Sequence, residues 1–397
     1  MAELNIGVVG AGIGGLAVAA LLADDGHRVT LFDQFDTPRA LGSGLVIQPV
    51  GQAVLARIGA AAAAARYGNP IRRMLGHEAG SGRVVLDVQY HAVGGTGYGL
   101  AIHRAGLFHA LLEAVTLRRI PIQTCARVIA APAQGSGRTL LCEDGARHGP
   151  FALIADASGT KSLLSPLRGR TLPYGAIWGT VAWPKTSALP LDYLSQRYLR
   201  ASRMAGVLPL GVLPGNPVPQ AAIFWSLRQT DMPTWQATPI QSWKAEATAF
   251  WPEFAPFLGS IRHHDDMVTA RYSHGTLARP YSEALAFIGD AAHRASPQLG
   301  QGANMALLDA MALTIALRDR PVAEALPTYA AMRRWHVRVY QGMSWAFTPQ
   351  YQSDSRFLPW LRDRVMMPLS KLPPVPRVLT RLVCGDLIPP LASQAFP

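Results

Sequence analysis

Two glycine-rich stretches carry residues whose types and spacing suit a bound dinucleotide. The first reads Gly10-Ala11-Gly12-Ile13-Gly14-Gly15. Gly10 can make a tight turn, Gly12 lets a pyrophosphate approach the backbone, and Gly15 lets a helix pack close to a strand. Asp33 stands 21 residues after Gly12, placed to accept ribose hydroxyls. The second stretch runs Gly289-Asp290-Ala291-Ala292-His293 and on to Pro297-Gln298-Leu299-Gly300-Gln301-Gly302-Ala303-Asn304. Asp290 follows an apolar run and can accept hydrogen bonds from cofactor hydroxyls. Gly300 and Gly302 bare the backbone to a ligand, and a helix starting near Ala303 would aim its positive end there.

The flanking residues supply the elements that must hold these groups. Ile6 to Val9 is an apolar run suited to a strand buried on both faces. Leu16 to Ala23 is helix-forming, Asp25-Gly26 stops it, and Val29 to Phe32 is a second strand ending at Asp33. Leu153 to Ala155 and Leu285 to Ile288 read as further strands, and Met305 to Leu317 as a helix with few polar residues. The 18 residues from Ile6 to Ala23 carry no charge, the minimum length of a membrane span. They hold five glycines and follow no basic start, so strand, turn and helix explain them better.

From about Leu172 to Val268 the pattern changes. Trp178 to Trp183, Gly206 to Gly211 and Ala221 to Leu227 read as strands between Pro/Gly turns, and Gln241 to Phe250 as a short helix. Trp178, Leu208, Phe224 and Trp225, with Pro297 from the second glycine loop, are the candidates to line a pocket for a flat substrate. The same apolar residues could instead form a core. No charged residue here is an obvious catalytic base, and His274 and His293 each suit a structural hydrogen bond.

The second glycine stretch, with its Gly-Asp motif and Pro-x-x-Gly-x-Gly-x-Asn loop, resembles the p-hydroxybenzoate-hydroxylase-like (class A) flavoprotein monooxygenases. Arg39 to Pro49 is similar to the family segment that wraps the flavin. Ile102-His103-Arg104 is similar to the start of the helix whose arginine reaches the FAD, and Arg127-Val128 stands at a strand end near the adenine. The resemblance implies an α/β fold, with a glutathione-reductase-type, FAD/NAD(P)-binding Rossmann-like domain and an inserted antiparallel β-sheet substrate domain. The expected division is 1–72, 95–170 and 270–330 for FAD, 73–94 and 171–269 for substrate, and a helical segment over 331–397. The implied cofactor contacts are Gly10, Gly12, Ile13, Gly14, Gly15, Asp33, Arg39, Arg104, Val128, Asp290, Gly300, Gly302, Ala303 and Asn304. The implied activity transfers one oxygen atom from O2 to an aromatic or polycyclic small molecule through a flavin hydroperoxide, with NAD(P)H as reductant. The flavin carries that chemistry, so no side chain is named as catalytic and no metal is implied.

The pattern departs from the family at one place. The family's Asp-Gly-x-x-Ser-x-x-Arg motif faces Ser158-Gly159-Thr160-Lys161-Ser162-Leu163-Leu164-Ser165. Ser158 replaces the acid and Ser165 the arginine, while Asp156 lies two residues early and Arg168 three late. This puts the nicotinamide-donor contact in doubt, and restoring an arginine by Ser165→Arg is expected to tighten donor binding. A prenyl-chain reductase of the same superfamily stays open, because Asp156-Ala-Ser-Gly159 resembles variants outside the hydroxylases. A halogenase is disfavoured: the Trp-x-Trp-x-Ile-Pro pattern is absent, and Trp178 and Trp183-Pro184 have the wrong spacing. A non-enzymatic binding protein on this fold would need neither Asp33 nor the Asp290 loop.

Composition bounds the rest. The 397 residues are 49% hydrophobic and 16% charged, which excludes a disordered chain and suits two or three domains. The formal charge is +12, and 33 of the 37 cations are arginine. They are scattered, so no nucleic-acid groove is indicated. Residues 333–397 hold nine Lys/Arg and three Asp/Glu, half of the whole excess. That segment is expected to pack on the FAD domain, with a partner or membrane surface as the alternative. Three distant cysteines form no metal spacing and suggest reduced, buried thiols in a cytoplasmic protein.

Overall fold

The computed structural model describes residues 3–37, 42–93 and 97–392. Arg39 lies outside the described residues. A six-stranded sheet runs Tyr281–Ser282, Leu285–Phe287, Leu153–Asp156, Asn5–Val9, Arg28–Phe32 and Ile122–Gln123. All neighbours are parallel except the first pair. Parallel pairing puts the carboxyl ends of five strands on one edge, and that edge is where ligands bind in open α/β sheets. Gly10, Asp33, Asp156 and the Gly289-Asp290 turn therefore converge, although they are far apart in sequence. Backbone bonds fix the convergence: Gly10 donates to Phe32 at 2.7 Å, Ala157 to Val9 at 2.8 Å, and Ile288 to Asp156 at 3.0 Å.

The Ile13–Asp24 helix has no polar face, and Gly14 to Leu22 are all buried. It lies between the sheet and the Gly302–Leu317 helix, itself apolar nearly all round. A helix hydrophobic on every side is stable only with both sides covered, so each of the two requires the other.

A second sheet has eight strands, in the order His293–Arg294, Met267–Thr276, Arg170–Ala182, Gln220–Arg228, Arg203–Pro209, Tyr193–Leu199, Arg73–Glu78 and Val84–Gln89. All pairs are antiparallel except Tyr193–Leu199 against Arg73–Glu78. Four of these strands extend or add to the three read from sequence in the middle region. The Ile240–Phe250 helix covers one face over a core of Trp225, Trp243, Trp251, Phe254 and Phe257. The opposite face looks toward the carboxyl edge of the first sheet. The Val322–Tyr351 helix and the Phe357–Leu361, Met367–Leu369 and Val375–Cys384 helices follow. The cysteine expectation fails in part: Cys142 and Cys384 are buried, but Cys125 is exposed, in a turn with φ of 54°.

Gly10 and Gly15 have different physical reasons from Gly12. A Cβ on Gly15 would stand 1.8 Å from the Gly10 carbonyl oxygen, so the backbone itself would have to move. A Cβ on Gly12 meets nothing within 4 Å. Gly15→Ala is therefore expected to cost about 1–3 kcal/mol, read as a lower melting temperature of the apoprotein. Gly12→Ala should leave that temperature unchanged while weakening dinucleotide retention.

Candidate active site

The first glycine turn leaves a bare helix end. Gly12 caps the Ile13–Asp24 helix without a side-chain bond, and no acid stands in its first turn. Its unpaired N–H groups form an anion site. Ile13 is half-buried, and Gly14 packs toward Ala306, whose Cβ lies 3.4 Å from where a Gly14 Cβ would be. Asp33 is buried at the adjoining strand end, where its carboxylate accepts from Ala11 N at 2.8 Å and Phe35 N at 3.0 Å. It thus holds the glycine turn and retains lone pairs for a ligand hydroxyl. Val128 is buried with Val9, Phe32 and Phe151.

The second glycine site is built the same way. Gly289 adopts φ of 58° and Gly300 φ of 62°, both left-handed. The Gly302–Leu317 helix starts without a side-chain cap, and a Cβ on Gly302 would meet nothing within 4 Å. Gly300, Gly302, Ala303 and Pro297 all line one cavity. Asn304 does not offer its side chain there. It is fully buried, accepts from Gln48 N at 2.8 Å and donates to Val46 O at 3.2 Å and Gly300 O at 3.0 Å. That side chain positions the loop, and only its backbone N–H remains at the helix end.

The cavity measures about 550 Å³ and lies between the two sheets. Its polar end holds Arg104 and Asp290. Arg104 is the first residue of the Arg104–Leu117 helix, where the Gly99–His103 strand ends and His103 caps Ala105 N at 3.0 Å. Neither the guanidinium nor the carboxylate has a hydrogen-bond partner among the described residues. Enclosure by protein pushes the Asp290 carboxyl up, and His293, Arg104 and Arg294 oppose this. The Arg104 guanidinium is lowered by the same enclosure, opposed by Asp290 and Tyr272.

The other end is apolar. Trp178 and Phe224 face each other with ring centroids 4.7 Å apart, and Leu208, Met74, Leu194 and Phe347 complete the wall. Trp225 is not there. Adjacent strand residues point to opposite faces, so Phe224 faces the cavity and Trp225 enters the core beneath the Ile240–Phe250 helix. It packs edge-on to Trp243 at 6.3 Å and Phe250 at 5.2 Å. Tyr272 was missed by the sequence reading. Its hydroxyl accepts from Trp178 Nε1 at 2.9 Å, and burial raises it to about 12, so it keeps its proton. The signal was available: Arg271-Tyr272-Ser273-His274 precedes the second glycine site and continues the substrate sheet. The Val375–Cys384 helix lies inside the segment expected to be helical, but its place at the cavity was missed: Leu379, Leu382 and Val383 line the apolar end.

Beneath the second glycine site lies a buried carboxylate, Asp309. It accepts from Gly289 N at 2.9 Å, from Arg333 Nε at 2.8 Å, and pairs with His293 Nε2 at 2.6 Å. Burial would push its carboxyl up, but His293 and Arg333 outweigh this and hold it down to about 2. Arg333 also donates to Pro390 O at 2.6 Å. His336 donates from Nε2 to Gly385 O at 2.8 Å, and its Nδ1 lies 3.3 Å from the Arg333 guanidinium. Only a neutral ring satisfies both contacts. Burial first and Arg333 second lower His336 to about 3.

These two groups contribute to the acid side of stability, beside His27, His77, His103 and His274, which burial also lowers. The unfolded His336 binds a proton below about 6.5 while the folded one does not, so stability falls as pH drops from 6.5 toward 3. Asp309 adds its loss only below about pH 4, as the pH falls through its lowered value. Melting curves should show a decline between pH 7 and pH 5 that His336→Gln flattens. Asp309→Asn should cost about 3–5 kcal/mol at pH 7, because it leaves Arg333 buried without its partner.

The loop that departs from the family pattern is closed by its own residues. Asp156 is fully buried, its carboxylate accepts from Ser158 N and Oγ and from Ser162 Oγ, and burial pushes it up against those bonds. Ser165 is buried and donates to Ala291 O at 2.5 Å, which ties the loop to the Asp290 turn. The expectation for Ser165→Arg is therefore reversed. An arginine has no room there and would displace the turn, so this variant is expected to lose thermal stability rather than gain donor affinity.

Three observations fit an FAD to these residues: two bare helix ends with open space where a Cβ would stand, an unpaired Arg104 and Asp290 beside the second, and a flat apolar wall beyond. Comparison with known proteins agrees. Residues 8–77 match the model of an NAD(P)-binding Rossmann-like domain, and residues 262–340 that of an FAD binding domain. The FAD-dependent urate hydroxylase of Klebsiella pneumoniae is 25% identical, over 83% of this chain and 86% of its own. The 6-methylpretetramide 4-monooxygenase of Streptomyces rimosus is 28% identical, over 100% of this chain and 96% of its own. Among solved structures, Klebsiella pneumoniae HpxO complexed with FAD and uric acid superimposes with a TM-score of 0.80, at 21% identity, over 97% of this chain and 98% of that one. A two-layered fold, a site shaped for the flavin and relatives of this kind converge: the chain carries an NAD(P)-binding Rossmann-like domain and an FAD binding domain and is similar along its length to the class A FAD-dependent monooxygenases.

Proposed function

We propose that the protein adds one oxygen atom from O2 to a flat, largely apolar aromatic or polycyclic molecule, with NAD(P)H as reductant, in the cytoplasm. The observation that carries this reading is the cavity itself, polar where Arg104 and Asp290 stand and apolar where Trp178, Phe224 and Leu208 stand. FAD, when bound, supplies the oxygen-activating chemistry. In this reading Gly10, Gly12, Ile13, Gly14 and Gly15 carry its pyrophosphate, and Asp33 and Val128 the adenosine end. Arg104 and Asp290 hold the middle. Gly300, Gly302 and the backbone of Ala303 and Asn304 lie against the ring, where the start of the Gly302–Leu317 helix favours negative charge.

The remaining work belongs to side chains. Trp178 and Phe224, already in contact with each other, present one aromatic wall to a flat ring, and Leu208 and Pro297 exclude water from it. Tyr272 accepts from Trp178 and so has its own proton to donate to a substrate oxygen. The balanced reaction takes substrate C–H, O2, NAD(P)H and a proton to substrate C–OH, water and NAD(P)+.

Phe224→Ala is expected to raise the substrate KM about ten-fold or more with the flavin spectrum unchanged. Trp225→Ala should instead destabilise the fold by about 3–5 kcal/mol, because it opens a core cavity. Asp290→Ala should release FAD on gel filtration without lowering the apoprotein melting temperature. The reading as a whole is tested by aerobic turnover of phenolic, polyketide-like and quinolone-like compounds with NADPH and NADH. Mass spectrometry should find one added oxygen atom. Flavin reduction that proceeds with no oxygenated product from any compound would favour the prenyl-chain reductase.

A further inference from the structure

The basic C-terminal excess is not absorbed by the site just described, and its placement is informative. From Phe357 to Leu369 the chain is continuously helical, with a wider turn over Arg362–Met366. One face points inward. Pro359, Arg362 and Met367 are buried there, and the Arg362 guanidinium lies over the rings of Tyr198 and Tyr351, at 5.2 and 4.9 Å. Both tyrosines line the cavity.

The other face is exposed and apolar. Phe357 is 62% exposed, Trp360 52%, Leu369 52% and Leu372 56%. Phe357, Trp360 and Leu369 lie on the helical run and Leu372 in the turn just past it, so four large exposed apolar side chains crowd one segment of sixteen residues. Phe357 and Trp360 stack on each other outside the core, at 6.0 Å. Single exposed apolar residues need no explanation, but such a cluster does.

The charges along this segment have one sign. Between 355 and 385 the cations Arg356, Arg364, Lys371, Arg377 and Arg381 are exposed. The only acid in that span is Asp363, and it accepts from Arg362 at 2.6 Å. Aromatic and aliphatic side chains among unpaired cations suit the headgroup boundary of an anionic bilayer. No helix of the described residues is long and apolar enough to cross a membrane, so the fit is to lying on one.

We propose that the Phe357–Leu372 face docks the protein on an anionic lipid surface. The docked face lies one side-chain layer from the cavity, through Arg362 and the two tyrosines. The next helix, Val375–Cys384, exposes Arg377 and Arg381 and lines the apolar end of the cavity with Leu379, Leu382 and Val383. The docked surface therefore abuts the apolar end, and a lipophilic substrate would be taken from the bilayer. That last step rests on the proposed function; the docking does not.

The test is co-sedimentation of the full-length, FAD-loaded protein with vesicles of phosphatidylglycerol and phosphatidylcholine against vesicles of phosphatidylcholine alone. Binding to the anionic vesicles only is expected, weakening as salt rises. Arg364→Gln and Lys371→Gln should each reduce the partition about five-fold. The triple variant Phe357→Ser, Trp360→Ser, Leu369→Ser should abolish binding while retaining flavin absorbance. Should that variant not fold, brominated lipid should quench wild-type tryptophan fluorescence more than that of Trp360→Phe. Equal behaviour with both vesicle types overturns the proposal. So does light scattering that shows a dimer which the serine variant splits, since the cluster is then a contact between two copies. All of these readouts are independent of turnover, so a failure of the oxygenation reading and a failure of docking are separate results.

Discussion

The Asp309 carboxylate ties together three parts of the chain that meet at the second glycine site. It sits in the middle of an apolar helix, which is an expensive place for a charge unless it is fully paired. The pairing recruits Gly289 N from the turn that bears Asp290, His293 from the strand after it, and Arg333 from the next helix. Arg333 in turn holds the Pro390 carbonyl, and His336 holds Gly385. The cost of leaving any member unpaired fixes the Asp290 turn relative to the helix start at Gly302. In the proposed function those are the two groups that must keep register along one cofactor. The same bonds anchor the chain on either side of the Val375–Cys384 helix, which walls the apolar end of the cavity.

A second constraint works from the opposite side of the turn. Asp156 orders the Ser158–Ser165 loop, and Ser165 delivers that order to Ala291. The Asp290 turn is thus clamped between two buried carboxylates, Asp156 and Asp309. Where the family pattern places an acid and an arginine for contact with ligands, this chain spends short hydroxyl side chains on internal support. A serine fits because its partner is a backbone carbonyl immediately beside it. A longer side chain would have to point out of the loop.

The sequence made legible those features that depend on local backbone chemistry. Glycine spacing after a strand and before a helix dictates a bare helix end, so the turns at Gly10–Gly15 and Gly300–Ala303 could be read directly. Asp33 at a strand end belongs to the same class. Features set by packing were not legible in the same way. Phe224 and Trp225 are chemically alike, and only the two-residue period of a strand separates a cavity wall from a core. That period was available, and naming both residues for one pocket conflicted with it. Asn304 looked like a ligand because it follows the glycines, yet its amide is consumed by Val46, Gln48 and Gly300, contacts more than 250 residues away in two cases. Asp309 gave no local signal at all, since a lone acid in an apolar helix acquires meaning only from the partners that tertiary structure brings to it.

The cavity's two ends ask for different things from the protein, and the fold separates them accordingly. The polar end is made by turns at strand ends and by helix starts, where backbone N–H groups, Arg104 and Asp290 are unpaired because the local geometry leaves them so. The apolar end is made by one face of a sheet and by C-terminal helices, where side-chain volume decides. The second kind of wall can change shape by substitution without disturbing the first, because none of Asp309, His293, Arg333 and His336 lines the cavity, and of the Asp156 loop only Thr160 does. Trp178 and Tyr272 are the exception: a single hydrogen bond couples an apolar wall residue to a hydroxyl beside Arg104. That bond fixes the indole plane relative to the polar end. Substrate orientation is therefore the property most tightly coupled to the cofactor side, while substrate size is left to the sheet and to the C-terminal helices.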